Sequence, residues 1–171
     1  ITFPRNLGQV PIYYNQKNTG RPISKENPTE DYKSNYIDSP NTPLYPFGHG
    51  LSYTTFKYSE IKLSNDKLKE SEILKASSTI TNSGDYDGHE VVQLYIRDKV
   101  GSITRPIKEL KGFKKIFLKK GESKTVVFEI LSEDLKFYNN GKLILESGEF
   151  EIAISPSSDF EFNKLFNLIL N

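Results

Sequence analysis

The sequence predicts an all-β protein, in which a β-sandwich follows an irregular N-terminal segment. From residue 55 onward, short runs of alternating apolar residues are separated by turn signals about every 8–12 residues, which is typical of a sandwich. In residues 1–50, no helical period of apolar residues is sustained for three turns. Seven of the nine prolines fall at or before Pro46, where they restrict the backbone and remove hydrogen-bond donors.

Residues 1–50 are not expected to fold alone. Ordering them costs roughly 50–100 kcal/mol, whereas burying their fourteen aliphatic and aromatic side chains returns roughly 20–40 kcal/mol. We expect one short strand at residues 10–14 and a segment that drapes over the following domain or over a missing preceding one. A disordered leader is the alternative, and the five tyrosines between Tyr13 and Tyr45 argue against it.

A stiff stretch at residues 43–56, PLYPFGHGLSYTTF, separates this segment from the strands. Its prolines fix φ, and Gly48 and Gly50 permit tight bends. Its large apolar side chains predict a packed connector rather than a solvated linker; they are Tyr45, Phe47, Leu51, Tyr53 and Phe56.

Seven or eight short strands are expected after the connector. They lie at residues 56–64, 73–82, 89–98, 108–118, 125–130, 142–146, 149–155 and 165–170, with a helical turn at 132–138 capped by Ser132. Alternation predicts the inward residues, namely Leu74, Ala76, Ser78, Ile80, Val92, Leu94, Ile96, Val126, Phe128, Ile130, Phe150, Ile152 and Ile154. On the strand at 89–98, Gln93, Tyr95 and Arg97 face the other way, and Gly112 is a possible bulge. This pattern favours an immunoglobulin-like or fibronectin type III-like sandwich, without the antibody-type core because cysteine and tryptophan are absent.

Composition and charge limit the classes of partner that we expect for this chain. The net charge of +1 gives no basic excess for nucleic acid, and no apolar run approaches the length of a membrane span. We therefore expect neither a nucleic-acid partner nor a membrane partner. The chain has no methionine and begins with Ile1, which we interpret as a piece of a longer polypeptide.

The polar residues give no convincing catalytic or metal-binding pattern. His49 is expected to be packed and His89 to lie on the surface. The acidic run at 85–90 lacks calcium-loop spacing and is better explained by a hairpin turn with positive φ at Gly88. The carboxylates of Glu109, Glu129, Asp134 and Glu146 are expected on solvated faces, and nothing singles out a glycosidase pair among them.

Several stretches, taken in order, resemble the C-terminal part of family 3 glycoside hydrolases, the β-glucosidase family. Residues 2–22 (TFPRNLGQVPIYYNQKNTGRP) resemble the last strand of that family's α/β sandwich domain and the loop after it, and residues 44–56 (LYPFGHGLSYTTF) its C-terminal signature. Similar to its fibronectin type III-like domain are residues 81–98 (TNSGDYDGHEVVQLYIRD), 105–113 (RPIKELKGF) and 134–138 (DLKFY).

The resemblance implies a division at residue 54. Residues 1–54 would be the terminal strand, extended loop and connector left over from a missing α/β sandwich domain, and residues 55–171 the fibronectin type III-like sandwich. From its content of Tyr32, Tyr36 and Asp38 alone, we hypothesise that the loop at 24–40 approaches the substrate entrance of the parent enzyme.

The resemblance also implies a retaining, exo-acting hydrolase of terminal β-linked sugars. Its aspartate nucleophile and glutamate acid/base would lie upstream, so no catalytic residue, cofactor or metal site is expected in this chain. Its partners would be the upstream catalytic domains and, through them, an oligosaccharide or β-glucoside. Enzymes of this type are often periplasmic or extracellular, but nothing in the residues decides the compartment. Two alternatives stay open: a β-xylosidase parent of the same family, and a free-standing carbohydrate-binding or adhesive module.

Overall fold

A computed structural model describes residues 1–21, 32–36 and 38–170 of the chain. Within these ranges the chain forms eleven strands: β1 (Phe56–Tyr58), β2 (Lys62–Leu63), β3 (Lys67–Lys69), β4 (Ile73–Asn82), β5 (Gly88–Asp98), β6 (Glu109–Leu118), β7 (Ser123–Leu131), β8 (Phe137–Asn139), β9 (Lys142–Ile144), β10 (Gly148–Ser155) and β11 (Lys164–Ile169). Short 3₁₀ helices occupy Leu7–Gln9 and Ser132–Leu135. None of the helices in the described ranges is long and apolar enough to cross a membrane.

Two sheets pack face to face, which confirms the predicted β-sandwich. In the first sheet, β1 and β2 pair antiparallel with one edge of β4 and β7 pairs with the other. The second sheet has the order β3-β11-β10-β5-β6, and only the β3–β11 pair is parallel. A separate hairpin is formed by β8 and β9.

The alternating side chains of β4, β5, β7, β10 and β11 form the core between the sheets, as their period of two requires. Predicted inward residues are buried, with the exception of Ile154, which is half-buried. The residues that are at most 1% exposed include Leu74, Ala76, Ile80, Val92, Ile96, Leu118, Ile130, Ile152 and Phe166.

Some strand predictions are wrong in detail. The first strand, predicted at 56–64, is interrupted because the Ser59 hydroxyl accepts a 2.9 Å hydrogen bond from the Thr79 amide, in place of a backbone carbonyl. This interruption lets Ile61 enter the core. The strand β3 was missed because its pattern of lysine, leucine and lysine is too short to be distinguished from a turn.

Four further local predictions can be judged. The bulge expected at Gly112 lies next to it, because the pairing of β5 with β6 shifts between Leu94 and Tyr95 and passes over Lys111. Ser132 does not cap its turn: its hydroxyl donates to Glu70 O, and the Asp134 carboxylate accepts from the Leu131 amide instead. Gly88 does not have positive φ. The strand predicted at residues 10–14 is absent from this described part of the chain.

A polar contact between Tyr58 and Glu90 helps to join the two sheets. The Tyr58 hydroxyl on β1 donates a 2.7 Å hydrogen bond to the Glu90 carboxylate on β5. Burial raises the pKa of Glu90, and the hydrogen bond from Tyr58 opposes that rise. Burial, together with the bond to Glu90, also raises the pKa of Tyr58.

Glu90 yields a prediction about pH. Because its pKa in the folded state is raised, ionisation of Glu90 costs stability, and that cost appears as the pH rises through the unfolded and then the folded pKa. Glu90→Gln removes the charge but keeps an acceptor for Tyr58. We expect the variant to melt a few degrees higher than the wild type at about pH 7, and the gap to close near about pH 3, below the usual glutamate pKa. Thermal unfolding followed by circular dichroism checks this, and a gap that widens on acidification would contradict it.

Candidate functional site

The described part of the N-terminal segment lies on the outer face of the second sheet. Tyr14 stacks on Phe47 with ring centroids 4.5 Å apart, and its edge meets the Tyr95 ring at 5.9 Å. Phe160, from the connection between β10 and β11, covers the Tyr95 ring, and the centroids of these two rings are 4.9 Å apart. Gln93 and Tyr95 are consequently buried although they face away from the core. The N-terminal segment therefore covers the sandwich that follows it. This was one of the two surfaces over which it was expected to lie.

Backbone hydrogen bonds hold the segment in place. The Ser158 amide donates to Phe47 O at 2.8 Å, and the Ile107 amide donates to Gln16 O at 2.9 Å. The Tyr95 hydroxyl donates to Gln93 Oε1 at 2.6 Å, while the amide nitrogen of Gln93 donates to Pro156 O. Gly48 lies so close to Gln93 that an added Cβ would be 2.5 Å from its amide nitrogen.

The end of the connector is held by a buried asparagine. Asn82, which is fully buried, accepts a 2.6 Å hydrogen bond from the Thr54 hydroxyl through Oδ1. Its side-chain nitrogen donates to Tyr86 O at 2.8 Å and to Leu118 O at 3.1 Å. The connector is thus fixed to the sandwich at Gly48 and again at Thr54.

Between these two points the connector exposes large apolar side chains. Leu51 is 95% exposed and Tyr53 is 96% exposed, so the prediction that they are packed is wrong within this chain. Phe47 and Phe56 are partly buried, in accord with it. His49 was expected to be packed and is instead exposed, with its ring lying against Tyr45 at 4.9 Å.

The exposed apolar residues continue into the first ten residues of the chain. The Phe3 amide donates to Tyr45 O at 2.9 Å, and their rings meet edge to face. We call the whole set the connector surface; it comprises Ile1, Phe3, Leu7, Val10, Leu44, Tyr45, Leu51 and Tyr53, each at least 46% exposed. Large exposed apolar patches on soluble proteins usually mark a surface that another molecule or domain covers.

A buried ion network lies at the other end of β5. Arg105 binds Asp98 at 3.3 Å and Glu109 at 2.9 Å, and Lys111 binds Glu109 at 2.7 Å. The Arg105 guanidinium also lies 4.1 Å from the centre of the Phe137 ring. Glu109 was expected on a solvated face, and this prediction is wrong because Arg105 holds its carboxylate against the protein.

Burial and charge act in opposite directions on these two carboxylates. Burial raises the pKa of Asp98, and Arg105 only partly offsets it. Burial also acts to raise the pKa of Glu109, but Lys111 and Arg105 together bring that pKa below its usual value. No pattern in the sequence indicates this network, because Arg105 lies in a loop with no periodicity to mark it.

The remaining polar candidates are separate from one another. Glu129 pairs with Lys75 on the exposed side of the first sheet, and Glu146 accepts from the Ser102 amide at 2.9 Å. His89 is on the surface as expected, with its ring against Phe117. Asp85 pairs with Lys120 in the turn before β5. Among the residues that the structure describes, no three histidine or acidic side chains are grouped as metal ligands.

Two clefts border the N-terminal segment. One, of about 450 Å³, is lined by residues that include Tyr14, Arg105, Glu109 and Tyr138. The other, of about 610 Å³, is lined by tyrosines, prolines and Asp159. Each has a single carboxylate among its described lining residues. Tyr32, Tyr36 and Asp38 are described, but residues 24–31 and 37 of the loop at 24–40, which is expected near a substrate entrance, lie outside the described residues.

Comparison with known proteins finds one domain match and several much longer relatives. Residues 90–158 match the model of the fibronectin type III-like domain. The chain is 48% identical over 159 residues to a periplasmic β-glucosidase of Salmonella typhimurium, which covers 92% of this chain and 21% of that protein. It is 41% identical over 169 residues to a β-xylosidase of Formosa agariphila, which covers 98% of this chain and 22% of that protein.

A solved structure agrees with these matches. The β-glucosidase of Listeria innocua in complex with gluconolactone superposes with a TM-score of 0.88 at 43% identity, over 98% of this chain and 23% of that one. The chain thus spans about a fifth of the length of the relatives that it matches. These relatives are β-glucosidases of the family 3 type and a β-xylosidase, and this chain matches their C-terminal portion with its fibronectin type III-like domain.

Proposed function

We propose that this chain is the non-catalytic C-terminal part of a retaining, exo-acting β-glucosidase-like hydrolase, and that it buttresses catalytic domains located upstream of Ile1. The parent enzyme would hydrolyse terminal β-linked sugars of oligosaccharides. The observation that carries the proposal is the match to β-glucosidases over nearly the whole chain but only about a fifth of their length. Such coverage leaves ample room for catalytic domains outside the chain.

The connector surface supports the buttressing role. It exposes aromatic and aliphatic side chains on a backbone that is fixed to the sandwich at Gly48 and Thr54. A rigid apolar surface next to Ile1 is well suited to hold an upstream domain in one orientation, because little conformational entropy remains to be lost when it docks. We propose accordingly that residues 1–54 belong structurally with the preceding domain and residues 55–171 form the sandwich.

We also propose that no residue of this chain takes part in glycosidic bond cleavage. A retaining glycosidase needs two carboxylates about 5–5.5 Å apart beside the scissile bond. The clefts described above each carry one, and Glu109 is already held by Arg105 and Lys111.

The parent's sugar has a second candidate. Relatives from Formosa agariphila include a β-xylosidase at 41% identity, not far below the Salmonella β-glucosidase. Because the parent's sugar-binding pocket would lie outside this chain, the test uses both a β-glucoside and a β-xyloside as substrates.

The test extends the coding sequence upstream of Ile1 and compares three proteins: the longer polypeptide, the same polypeptide ending before Ile1, and the 171-residue chain. We expect p-nitrophenyl β-glucoside or β-xyloside hydrolysis by the longer polypeptide, none by the 171-residue chain, and loss of activity or a much lower melting temperature in the truncated form. Full activity and stability after truncation would overturn the buttressing role. Binding of glycans by the 171-residue chain, with no hydrolase encoded upstream, would favour the free-standing module.

A further inference from the structure

A second apolar surface lies on the sandwich itself, apart from the connector surface. It is made by outward residues of β5 and β6, and we call it the β5–β6 face; its members are His89, Val91, Phe113 and Phe117. Phe113 is 68% exposed and Phe117 is 46% exposed. The pairing of the strands places His89 opposite Phe117, and their rings are 5.0 Å apart.

The first sheet shows what an outer face of this sandwich looks like when it faces solvent. Along β4 and β7 most of the outward pairs are polar, with Thr79 and Thr125 at 2.9 Å and Thr81 and Ser123 at 2.7 Å. An exposed apolar pair, Ile73 and Leu131, lies only at the far end of these strands. Antiparallel sheets that face water on one side usually show this polar pattern. Phe113 and Phe117, two exposed phenylalanines on the same side of one strand, depart from this pattern and indicate a surface that another molecule or domain covers.

The β5–β6 face adjoins an interface that the chain already makes. Further along β5, Gln93 and Tyr95 point to the same side and are buried by the N-terminal segment. Gly48 lies against Gln93, and Ser52 and Thr54 lie against Gly88. The connector between them therefore runs alongside the stretch of β5 that carries His89 and Val91.

We infer that the β5–β6 face docks the upstream part of the same polypeptide, as one continuous interface with Leu51 and Tyr53 of the connector. This inference rests on the proposed function. The relatives place about four-fifths of their length outside this chain, and a tethered domain meets this face at a high effective concentration. Lys115 lies opposite Val91 on the same face. We therefore expect the matching surface of the upstream domain to be an apolar hollow with a carboxylate at its rim.

The absence of cysteine from this chain allows a thiol-labelling test. Phe113→Cys and Phe117→Cys are made singly, in the 171-residue chain and in the longer polypeptide. The matched control is Leu131→Cys on the outer side of the first sheet, because Leu131 is 44% exposed and Phe117 is 46% exposed. Labelling is read by mass spectrometry at the substituted peptide, so that upstream cysteines do not interfere.

We expect labelling at positions 113 and 117 to slow by about tenfold or more in the longer polypeptide, which corresponds to an opening free energy of about 1.4 kcal/mol. The labelling rate at position 131 is expected to differ by less than about twofold between the two proteins, because the upstream domain is not expected to cover that site. Equal labelling in both proteins, while the longer polypeptide hydrolyses its substrate, would overturn this inference and leave the proposed function intact. Protection that rises with concentration in the 171-residue chain would also overturn it, in favour of a second copy as the occupant.

Discussion

Replacing Arg105 with methionine is expected to lower the free energy of unfolding of the chain by about 3–5 kcal/mol. Arg105 and Asp98 have side chains only 7% and 4% exposed, and the same guanidinium binds Glu109 at 2.9 Å. Methionine fills similar volume but leaves a buried carboxylate at Asp98 with no opposite charge. Urea unfolding at neutral pH, followed by circular dichroism, measures the loss.

The control is Lys75→Met, which breaks the exposed pair with Glu129 and is expected to change stability by less than about 1 kcal/mol. A double variant, Asp98→Asn with Arg105→Met, is expected to recover part of the loss because it removes the unpaired charge. If the Arg105 variant were no less stable than the Lys75 variant, the network would not contribute to folding.

The pH dependence of this effect has a definite sign. Glu109 has a lowered pKa in the folded protein, so its contribution to stability is present above its unfolded pKa and is lost as the pH falls through the folded one. Without Arg105, protonation of the buried carboxylates removes their unpaired negative charge and so removes the free-energy cost of burying it. The difference between wild type and the Arg105 variant is therefore expected to shrink on acidification.

The strands that the sequence predicts well are those with long alternation. For β4 the expected bounds agree with the structure, and for β5 the expected start differs by one residue. Alternation works there because each inward residue is buried against the opposite sheet regardless of what happens elsewhere. It fails at Ser59, where a side-chain hydroxyl replaces a backbone acceptor, and at β3, which depends on its partner β11.

Sequence reasoning predicted the connector surface and the β5–β6 face only in part. The aromatic content of the connector predicted that it is packed, which is wrong for Leu51 and Tyr53 because they face outward, and holds for the partly buried Phe47. Which of these side chains faces outward depends on where Gln93 and Tyr95 lie on β5, which no local pattern specifies. Phe113 and Phe117 were read as part of an ordinary strand, because one-dimensional alternation does not distinguish an outer face that is solvated from one that is covered. The network at Arg105 was missed for a similar reason, since its partners come from β5 and β6.

Gly48→Ala is expected to release the connector from the sandwich. Gly48 has φ of +82°, a conformation that costs a residue with a side chain about 1–2 kcal/mol, and its new Cβ would lie 2.5 Å from the Gln93 side chain. Overpacking at such a contact costs about 1–3 kcal/mol more. The amide of Ser158, which donates to Phe47 O, reports the release, and its hydrogen-exchange protection is expected to fall by about 30-fold or more, corresponding to about 2 kcal/mol.

Two further variants separate local strain from general loss of stability. Gly50 lies two residues away, has no heavy atom within 4 Å of an added Cβ and no positive φ, so Gly50→Ala is expected to leave Ser158 protected. Adding Gln93→Ala to Gly48→Ala removes the steric contact but also the hydrogen bonds of Gln93 with Pro156 O and the Tyr95 hydroxyl, so it is expected not to restore the protection of Ser158. If Gly48→Ala and Gly50→Ala gave the same protection at Ser158, the connector would not be held at Gly48. Because the connector would carry the upstream domain, in the longer polypeptide Gly48→Ala is also expected to increase thiol labelling of Phe117→Cys, whereas Gly50→Ala leaves it unchanged.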